Sequence, residues 1–234
     1  AGKAGHIMII DGLLEPSTCH EFVTKCESVW AASHPGKTLG GVDFRTKTTE
    51  DLHVSQMAFL EPGIPWDENW GRLEKTISNA LGTSIAIYKQ EYRHLDNWID
   101  VVDSGFQVQK YYKNFGYYRP HVDSFPGGSV GNRVLACVIY LNTVDYGGET
   151  NFPLHEVKVA PKAGRIALFP ATWTHLHESC SAITGDKWII STFICNSPIT
   201  EEVPGSQSGE EPEHEHDENT HTHDEGPELI LGTA

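Results

Sequence analysis

The chain has 234 residues, of which 38% are hydrophobic and 10% aromatic, a composition that suits one sizeable domain with its own core. Its formal net charge of -15 is unevenly spread, because residues 201–234 contain 11 acidic residues and no lysine or arginine. The rest of the chain carries all 17 basic residues and the other 21 of the 32 acidic ones, so it is nearly neutral. This distribution excludes the basic stripe of a nucleic-acid-binding protein and an electrostatic membrane anchor.

Five cysteines are scattered along the chain without CxxC spacing, which argues against a disulfide framework and against a zinc ribbon. We expect buried, reduced thiols, as in a cytosolic protein. No apolar run reaches transmembrane length, and no signal peptide is visible. The sequence therefore predicts a cytoplasmic protein without a membrane or nucleic-acid partner, and it indicates no particular oligomeric state.

The first hundred residues show mainly helical patterns with a few strands. Thr18 and Glu21 form a capping-box pattern after Pro16, and apolar residues at helical spacing follow until about Ser33. Residues 36–52 are polar and glycine-rich, which predicts a loop. The other predicted elements of this half are a strand over His6–Ile10, a strand over His53–Leu60, a helix over Asn69–Leu81 that ends at Gly82, and a further helix over Ile85–Leu95.

After Gly105 the pattern changes to short β-type runs separated by glycine and proline clusters, which is typical of a sandwich or jelly roll. The predicted strands are Phe106–Tyr112, Arg133–Leu141, Val157–Val159, Ile166–Phe169, His175–Ser179 and Trp188–Cys195. The predicted fold class is therefore mainly β with helical support (α+β). Its core would be a double-stranded β-helix, or cupin-like jelly roll, with the N-terminal helices packed on one sheet.

The sequence suggests three regions. Residues 1–104 form a supporting region of helices and strands, residues 105–197 form the jelly-roll catalytic core of the same domain, and residues 198–234 form an acidic, histidine-rich tail. The tail is too poor in apolar residues to order itself. Two interpretations of it stay open: a solvated acidic segment, which its composition favours, or a histidine cluster that binds transition metals weakly.

A candidate metal site lies in the β-rich half. His121 and Asp123 are two residues apart, so in a strand both side chains point to the same face and can reach one ion. Two histidines and one carboxylate are the ligand set of many non-haem Fe(II) sites. His175 and His177 are both candidates for the third ligand, and spacing alone does not choose between them. Lys187 could point into the same cavity, where its charge would need an anionic partner. A surface position beside Trp188 is the other interpretation, and the lysine taken alone favours it.

A series of motifs between residues 106 and 195 resembles the prolyl 4-hydroxylase-type 2-oxoglutarate/Fe(II) dioxygenases. The segment QKYYKNFGYYRPHVD at 109–123 resembles the family signature Y-x-x-G-x-Y-x-P-H-x-D, with one extra residue before the glycine. Further matches follow in order: RVLACVIYLN (133–142), GGETNFP (147–153), GRIALF (164–169), HESC (177–180) and GDKW (185–188). Ser181 and Phe193 depart from the pattern, since the family usually has proline and often tryptophan there.

The resemblance implies an iron site made of His121, Asp123 and His177, because the family's iron-binding histidine lies ten residues before its lysine. The implied cofactors are Fe(II), 2-oxoglutarate as co-substrate and O2, with ascorbate as an optional addition. The implied reaction is hydroxylation of a C–H bond with release of succinate and CO2. The leading substrate is proline in a peptide or protein, hydroxylated at C4 as by procollagen-proline 4-dioxygenase. An intact Asp123 favours hydroxylation over halogenation, which needs that coordination position free for chloride.

The resemblance also implies a co-substrate site beside the iron. Lys187 would pair with the distal carboxylate of 2-oxoglutarate, and Tyr112 and Thr150 match family positions that hydrogen-bond the same carboxylate. Tyr118 and Trp173 suit either the wall of a substrate channel or the core, because large aromatic side chains bury well in both.

Two alternatives remain beside the peptide hydroxylase. The same chemistry could act on a free amino acid or another small molecule, and the loops at 36–52 and 124–132 would distinguish an open groove from a closed pocket. A non-catalytic jelly-roll module for metal binding or interaction is the other alternative, against which the intact co-substrate residues argue. For Arg133 and Arg165 we expect structural roles.

Overall fold

Two helices and fifteen short strands make up the part of the chain that the structure describes. This computed structural model describes residues 2–55, 59–60, 66–95, 97, 101–125 and 132–196. The helices are α1 (Pro16–Ser28) and α2 (Glu68–Glu91). The strands are β1 (Gly2–Ala4), β2 (Ile7–Ile10), β3 (His34–Pro35), β4 (Lys47–Thr48), β5 (Glu50–Ser55), β6 (Phe59–Leu60), β7 (Val101–Asp103), β8 (Gln107–Tyr111), β9 (Tyr117–His121), β10 (Arg133–Tyr140), β11 (Thr150–Phe152), β12 (Val157–Val159), β13 (Ile166–Pro170), β14 (His177–Ser179) and β15 (Lys187–Asn196). Single 3-10 turns cover Trp30–Ala32, Arg93–Leu95, Pro153–His155 and Trp173–His175.

The strands form two antiparallel sheets. The larger sheet has the order β1-β2-β13-β10-β15-β8-β5-β3, with β6 beside β5 and β7 beside β15. The smaller sheet has the order β12-β11-β14-β9-β4. From β8 to β15 the chain crosses repeatedly between the two sheets, which is the arrangement of a double-stranded β-helix. The predicted fold class is confirmed.

The two faces of the larger sheet have different neighbours, because side chains alternate along each strand. In β10, Leu135 and Ile139 belong to the apolar cluster that includes residues of both helices. Ala136 and Val138 point the other way and belong to the cluster between the sheets, together with Phe152 of the smaller sheet. The helices therefore pack on one sheet, as predicted, and the candidate site lies on the opposite side, between the sheets.

Helix α1 starts differently from the sequence prediction. Its N-cap residue is Glu15, which makes no side-chain cap hydrogen bond, and Pro16 is its first residue. The predicted capping box of Thr18 and Glu21 is therefore wrong, since both residues already lie within the helix. Proline suits the first helical position because its fixed φ is helical and no amide donor is needed there. The helix ends at Ser28, and the 3-10 turn that follows accounts for the rest of the apolar pattern.

Helix α2 is longer than predicted. It runs through Gly82 to Glu91, so the predicted end at Gly82 and the separate third helix are both wrong. Its apolar stripe continues past the glycine, since Ile77, Leu81 and Tyr88 are all buried in the same core. A glycine inside a helix costs about 1 kcal/mol relative to alanine. Burial of this stripe offsets that cost, and the helix continues.

Gly82→Ala is expected to stabilise the fold. A Cβ at position 82 would meet no atom within 4 Å, so alanine should raise the free energy of unfolding by about 0.5–1 kcal/mol in urea denaturation. Gly116→Ala is the matched control, because its Cβ would lie 2.5 Å from the Tyr111 Cα and should destabilise the protein. A loss of stability in Gly82→Ala would contradict the continuous helix.

The segment 36–52 contains more regular structure than the predicted loop. Strand β4 pairs with β9 at the edge of the smaller sheet, and β5 pairs with β8 in the larger one. Strand β5 also starts earlier than the predicted strand over His53–Leu60, of which residues 56–58 lie outside the described part. Apolar alternation did not reveal these strands, because Lys47 and Asp51 are buried here as an ion pair.

Several predictions fall outside the described residues, among them most of the loop at 124–132 and the tail at 198–234. Ala1–Pro198 form one compact unit, and the division near residue 104 stays a prediction. Neither helix of the described ranges is long and apolar enough to cross a membrane. All five cysteines are free and four of them are buried, as expected.

Candidate active site

Three side chains converge on one point, two from strands of the smaller sheet and one from the residues just after a strand. His121 ends β9, Asp123 follows two residues later, and His177 opens β14 opposite His121. Asp123 Oδ1 lies 3.7 Å from His121 Nε2, and its Oδ2 lies 3.4 Å from His177 Nε2. One ligand atom from each residue lies within 4.8 Å of the others. Two imidazole nitrogens and a carboxylate oxygen at these separations fit the donor set of a non-haem Fe(II) site.

Backbone carbonyls orient both imidazole rings. His121 Nδ1 lies 2.8 Å from the carbonyl oxygen of Arg119, and His177 Nδ1 lies 3.0 Å from that of His175. A ring that donates its Nδ1–H to a carbonyl presents Nε2 as a free acceptor, which is the form that binds a metal. Burial lowers the pKa of His121 to about 4, with neighbouring His177 as the second cause, so this ring is neutral near pH 7.

His175 is engaged away from this cluster. Its Nε2 lies 2.7 Å from the carbonyl oxygen of Gly5, and its ring stacks on His155 at 4.5 Å between centroids. It belongs to a 3-10 turn and not to the predicted strand over His175–Ser179, so it does not share a face with His177. The structure brings His177, and not His175, to the candidate metal centre.

Lys187 is a fully buried cation at the start of β15. Its Nζ donates hydrogen bonds to the carbonyl oxygen of Gly148, at 2.9 Å, and to Ser179 Oγ, and it lies 4.1 Å from the centroid of the Tyr111 ring. Within the described ranges no carboxylate lies within ion-pair distance of it. Burial lowers the pKa of Lys187 to about 7. An inward-facing ammonium without a carboxylate partner is suited to receive an anion from outside the chain.

The structure does not bring Tyr112 to this site. Tyr112 follows the end of β8, is 37% exposed, and donates a hydrogen bond to Glu50 Oε2 at 2.6 Å. Tyr111 points the other way, lines the cavity beside the metal ligands, and lies opposite Lys187 in the strand register. Tyr111, and not Tyr112, therefore lies beside Lys187, where the sequence prediction had placed Tyr112. With Tyr111 as the tyrosine of the signature, two extra residues precede Gly116, and both lie in the turn after β8.

Thr150 lies in the cavity near Lys187, as the sequence predicted. It is buried in β11, lines the cavity, and its Oγ1 is 2.7 Å from Tyr140 Oη. It pairs with Ser179 in the register of β11 and β14, and Ser179 in turn binds Lys187. Thr150, Ser179 and Lys187 thus form one polar wall. Sequence reasoning missed Ser179, although its position two residues after His177 in a strand was a usable signal.

A cavity of about 290 Å³ lies between the sheets and contacts all three candidate ligands. Tyr118 lines it and stacks on His121 with ring centroids 3.5 Å apart, so the predicted channel position of Tyr118 fits. Trp173 is 74% exposed and is not among the described residues that line this cavity. The outward position of Trp173 follows from the 3-10 turn that contains it.

The two arginines differ in their surroundings. Arg165 pairs with Asp11 at 2.9 Å, a structural role as expected. Arg133 lies in the cavity wall, where its guanidinium covers the Phe193 ring at 3.7 Å and donates a hydrogen bond to the backbone oxygen of Asp123 at 3.2 Å. Arg133 thus braces the loop of a metal ligand and also faces the cavity.

The fold and the candidate site together form a jelly roll with two histidines and a carboxylate placed where they could hold a metal. The family described as the 2OG-Fe(II) oxygenase superfamily matches residues 106–195, which include the three candidate ligands and Lys187. Mouse prolyl 4-hydroxylase subunit alpha-3 is 34% identical over 162 residues, which cover 62% of this chain and 26% of the mouse protein. Prolyl 4-hydroxylase 13 of Arabidopsis thaliana is 28% identical over 152 residues, covering 45% of this chain and 56% of the plant protein.

Solved structures agree on the fold. A viral collagen prolyl hydroxylase from Paramecium Bursaria Chlorella virus-1, in its 2OG complex, matches with a TM-score of 0.59 and 19% identity, over 82% of this chain and 97% of that one. A Trichoplax adhaerens prolyl hydroxylase, in complex with a peptide fragment of hypoxia inducible factor, matches with a TM-score of 0.64 and 18% identity, over 82% and 84%.

The chain is thus similar to the prolyl 4-hydroxylases, and its residues 106–195 match the 2OG-Fe(II) oxygenase superfamily. It spans about a quarter of the length of the mouse relative and just over half of the plant relative.

Proposed function

We propose that this chain is a 2-oxoglutarate- and Fe(II)-dependent dioxygenase that hydroxylates proline at C4 in a peptide or protein, releasing succinate and CO2. The observation that carries the proposal is the pairing of a candidate metal centre in the cavity with a buried cation just behind the cavity wall. His121, Asp123 and His177 converge on one point, and Lys187 is buried nearby without a carboxylate partner within the described ranges. A non-catalytic metal-binding module would have no need of such a lysine.

Each residue has a distinct task in this proposal. His121, Asp123 and His177 would hold the metal and would leave it accessible to co-substrate and O2. The bound iron would supply the oxygen chemistry. Lys187 would pair with the distal carboxylate of 2-oxoglutarate, and the cavity-lining residues Thr150 and Tyr111 would hydrogen-bond the same group. Tyr118, stacked on His121, fixes the ring plane of one ligand and covers it from solvent.

The choice of a prolyl peptide rests on the relatives, which are named prolyl 4-hydroxylases, and on the peptide complex of the Trichoplax protein. Ascorbate as an addition and a cytoplasmic location belong to the same proposal. The same chemistry on a free amino acid is the alternative, and the next experiment includes it.

The proposal predicts succinate release that requires Fe(II), 2-oxoglutarate and a substrate together. Proline-containing peptides and free amino acids are assayed side by side, with the hydroxylated product located by mass spectrometry. Chelation of iron should remove the activity, and added Fe(II) should restore it. A protein that binds iron at His121, Asp123 and His177, yet releases no substrate-dependent succinate across the panel, would contradict the proposal.

A further inference from the structure

A second buried lysine lies in the cavity wall. Lys47 Nζ donates a hydrogen bond to Asp51 Oδ2 at 2.7 Å, and the two side chains are only 2% and 0% exposed. Asp51 also accepts hydrogen bonds from Thr49 Oγ1, at 2.7 Å, and from Gln107 Nε2, at 3.0 Å. Oδ1 of this carboxylate therefore accepts one hydrogen bond and Oδ2 accepts two. The donors come from β4, from the residue between β4 and β5, and from β8, so the position of the carboxylate is fixed from several sides.

The ammonium of Lys47 is less well satisfied than its partner. It has three N–H donors, and among the described residues its only acceptor is Asp51. Its other contact is the face of the Tyr118 ring, 5.3 Å from Nζ to the centroid. Burying a charged group is costly unless its hydrogen bonds are completed. Because Lys47 lines the cavity, an acceptor can reach its remaining donors from there.

Lys47 lies close to the metal centre and apart from Lys187. It pairs with Tyr118 in the register of β4 and β9, and Tyr118 stacks on His121. Lys187 contacts the Tyr111 ring instead. A chain of hydrogen bonds separates the two lysines, running from Asp51 through the side chains of Gln107, Gln109 and Tyr111. Lys47 therefore lies on the cavity wall itself, whereas Lys187 lies behind the lining residues Tyr111 and Ser179.

The backbone closes over the ion pair at Gly36. A Cβ at this position would lie 2.1 Å from Thr49 Oγ1 and 2.8 Å from Lys47 Cε, so only glycine allows this close approach. The residues that follow, Lys37, Thr38 and Leu39, line the same cavity. Lys37 is exposed and has no carboxylate within ion-pair distance in the described ranges, so it adds positive charge on the same side as Lys47.

From this geometry we infer that Lys47 binds a carboxylate of the primary substrate, and that the Lys47–Asp51 pair is a specificity device of the site. The inference rests on the proposed function and deepens it. A carboxylate matches the unused donors of Lys47 in charge and geometry, and a charge-assisted hydrogen bond is about twice as strong as a neutral one. The carboxylate belongs either to an acidic residue next to the target proline or to the α-carboxylate of a free amino acid.

Two ligand pairs distinguish these sources. The full chain, loaded with Fe(II) and 2-oxoglutarate under nitrogen so that no turnover occurs, is titrated calorimetrically with acetyl-Glu-Pro-Gly-amide against acetyl-Gln-Pro-Gly-amide, and with L-proline against L-prolinamide. In one of the two pairs we expect the carboxylate ligand to bind at least about tenfold more tightly than its amide partner. This is the difference that one hydrogen bond to a charged group would make. Because binding is measured without turnover, failure here is separable from failure of the proposed hydroxylation.

Variants separate a substrate contact from a purely structural ion pair. Lys47→Met should remove the preference for the carboxylate and leave the affinity for 2-oxoglutarate unchanged. The double variant Lys47→Met/Asp51→Leu removes both charges, restores stability if the single variant folds poorly, and should still lack the preference. Lys25→Met, which breaks an ion pair with Asp67 on the helical side of the sheet, is the control and should keep it.

Three results would overturn the inference. One is that the unmodified chain shows no preference for the carboxylate member of either ligand pair. A chain that binds none of the four ligands counts as the same result. Another is a preference that the double variant retains. The third is a Lys47→Met protein whose main defect is weaker 2-oxoglutarate binding, which would assign Lys47 to the co-substrate.

Discussion

Replacing His177 with alanine is expected to abolish iron-dependent turnover of 2-oxoglutarate, whereas replacing His175 should leave most of it. His177 Nε2 lies 3.4 Å from Asp123 Oδ2 and is one of the three candidate metal donors. His177→Ala removes this donor. The contribution of His175 is its backbone carbonyl, which accepts from His177 Nδ1 and survives substitution. The His175 ring instead bonds to Gly5. Its loss should therefore cost about 1–3 kcal/mol of folding stability and little metal affinity.

The comparison is made by titrating each purified variant with Fe(II) under nitrogen, followed by succinate release. Loss of a group that orients a ligand typically lowers metal affinity by about 10–100-fold. The loss of Fe(II) affinity in His175→Ala should be smaller than this, because the carbonyl that orients His177 remains. His20→Ala, at an exposed position of α1, serves as the control. If His175→Ala folds but binds no iron, and His177→Ala still binds it, the ligand assignment is wrong.

The choice between these two histidines shows what periodicity can and cannot establish. Alternation in a strand predicted that His121 and Asp123 share a face. The two side chains do meet at the candidate site, although β9 ends at His121 and Asp123 lies beyond the strand. The same rule put His175 and His177 on a shared face, and there it failed, because a 3-10 turn ends at His175. Only the ten-residue spacing to Lys187, taken from the family resemblance, favoured His177.

Other errors have a common physical origin, which is that tertiary packing overrides local pattern. Gly82 is a local signal for a helix end, yet buried residues on both sides of it keep α2 intact. Tyr111 and Tyr112 are chemically identical in the sequence, and only the strand register shows which of them faces Lys187. Strand β5 has a buried Asp51 at a position where a strand pattern would have an apolar residue. The ion pair with Lys47 offsets the cost of burying this carboxylate, and Lys47 lies in the other sheet.

Replacing Lys187 with alanine or methionine should raise the requirement for 2-oxoglutarate sharply without removing iron. Lys187 is buried against Gly148, Ser179 and Tyr111, none of which can replace its charge. Losing one partner of a buried charged pair typically costs about 2–5 kcal/mol, so the affinity should fall by about 30-fold or more. The Fe(II) titration should be unchanged, because no metal ligand contacts this side chain in the described ranges. An unchanged affinity for 2-oxoglutarate would remove Lys187 from the site.

The buried ammonium also gives a pH dependence with a definite sign. The pKa of Lys187 is lowered by burial from 10.5 to about 7 in the folded chain. Between these values the unfolded chain holds a proton that the folded chain lacks, so this group makes the free energy of unfolding rise with pH from about 7 to about 10. Below pH 7 both states are protonated, and the burial cost is fully present. Lys187→Met should lose this slope, whereas Lys158→Met, at an exposed position of β12, should keep it.

Binding of 2-oxoglutarate should show the opposite trend, because the ligand needs the charged ammonium. Above pH 7 the free protein must take up a proton when the dicarboxylate binds, so affinity should fall by up to about tenfold for each pH unit until the pKa of the complex is reached. Calorimetry in buffers of different ionisation enthalpy measures that proton uptake directly. Wild-type protein should take up close to one proton at pH 8.5, and Lys187→Met should take up none. A wild-type affinity that is flat from pH 7 to 9, without proton uptake, would mean that the lysine is already charged before the ligand arrives.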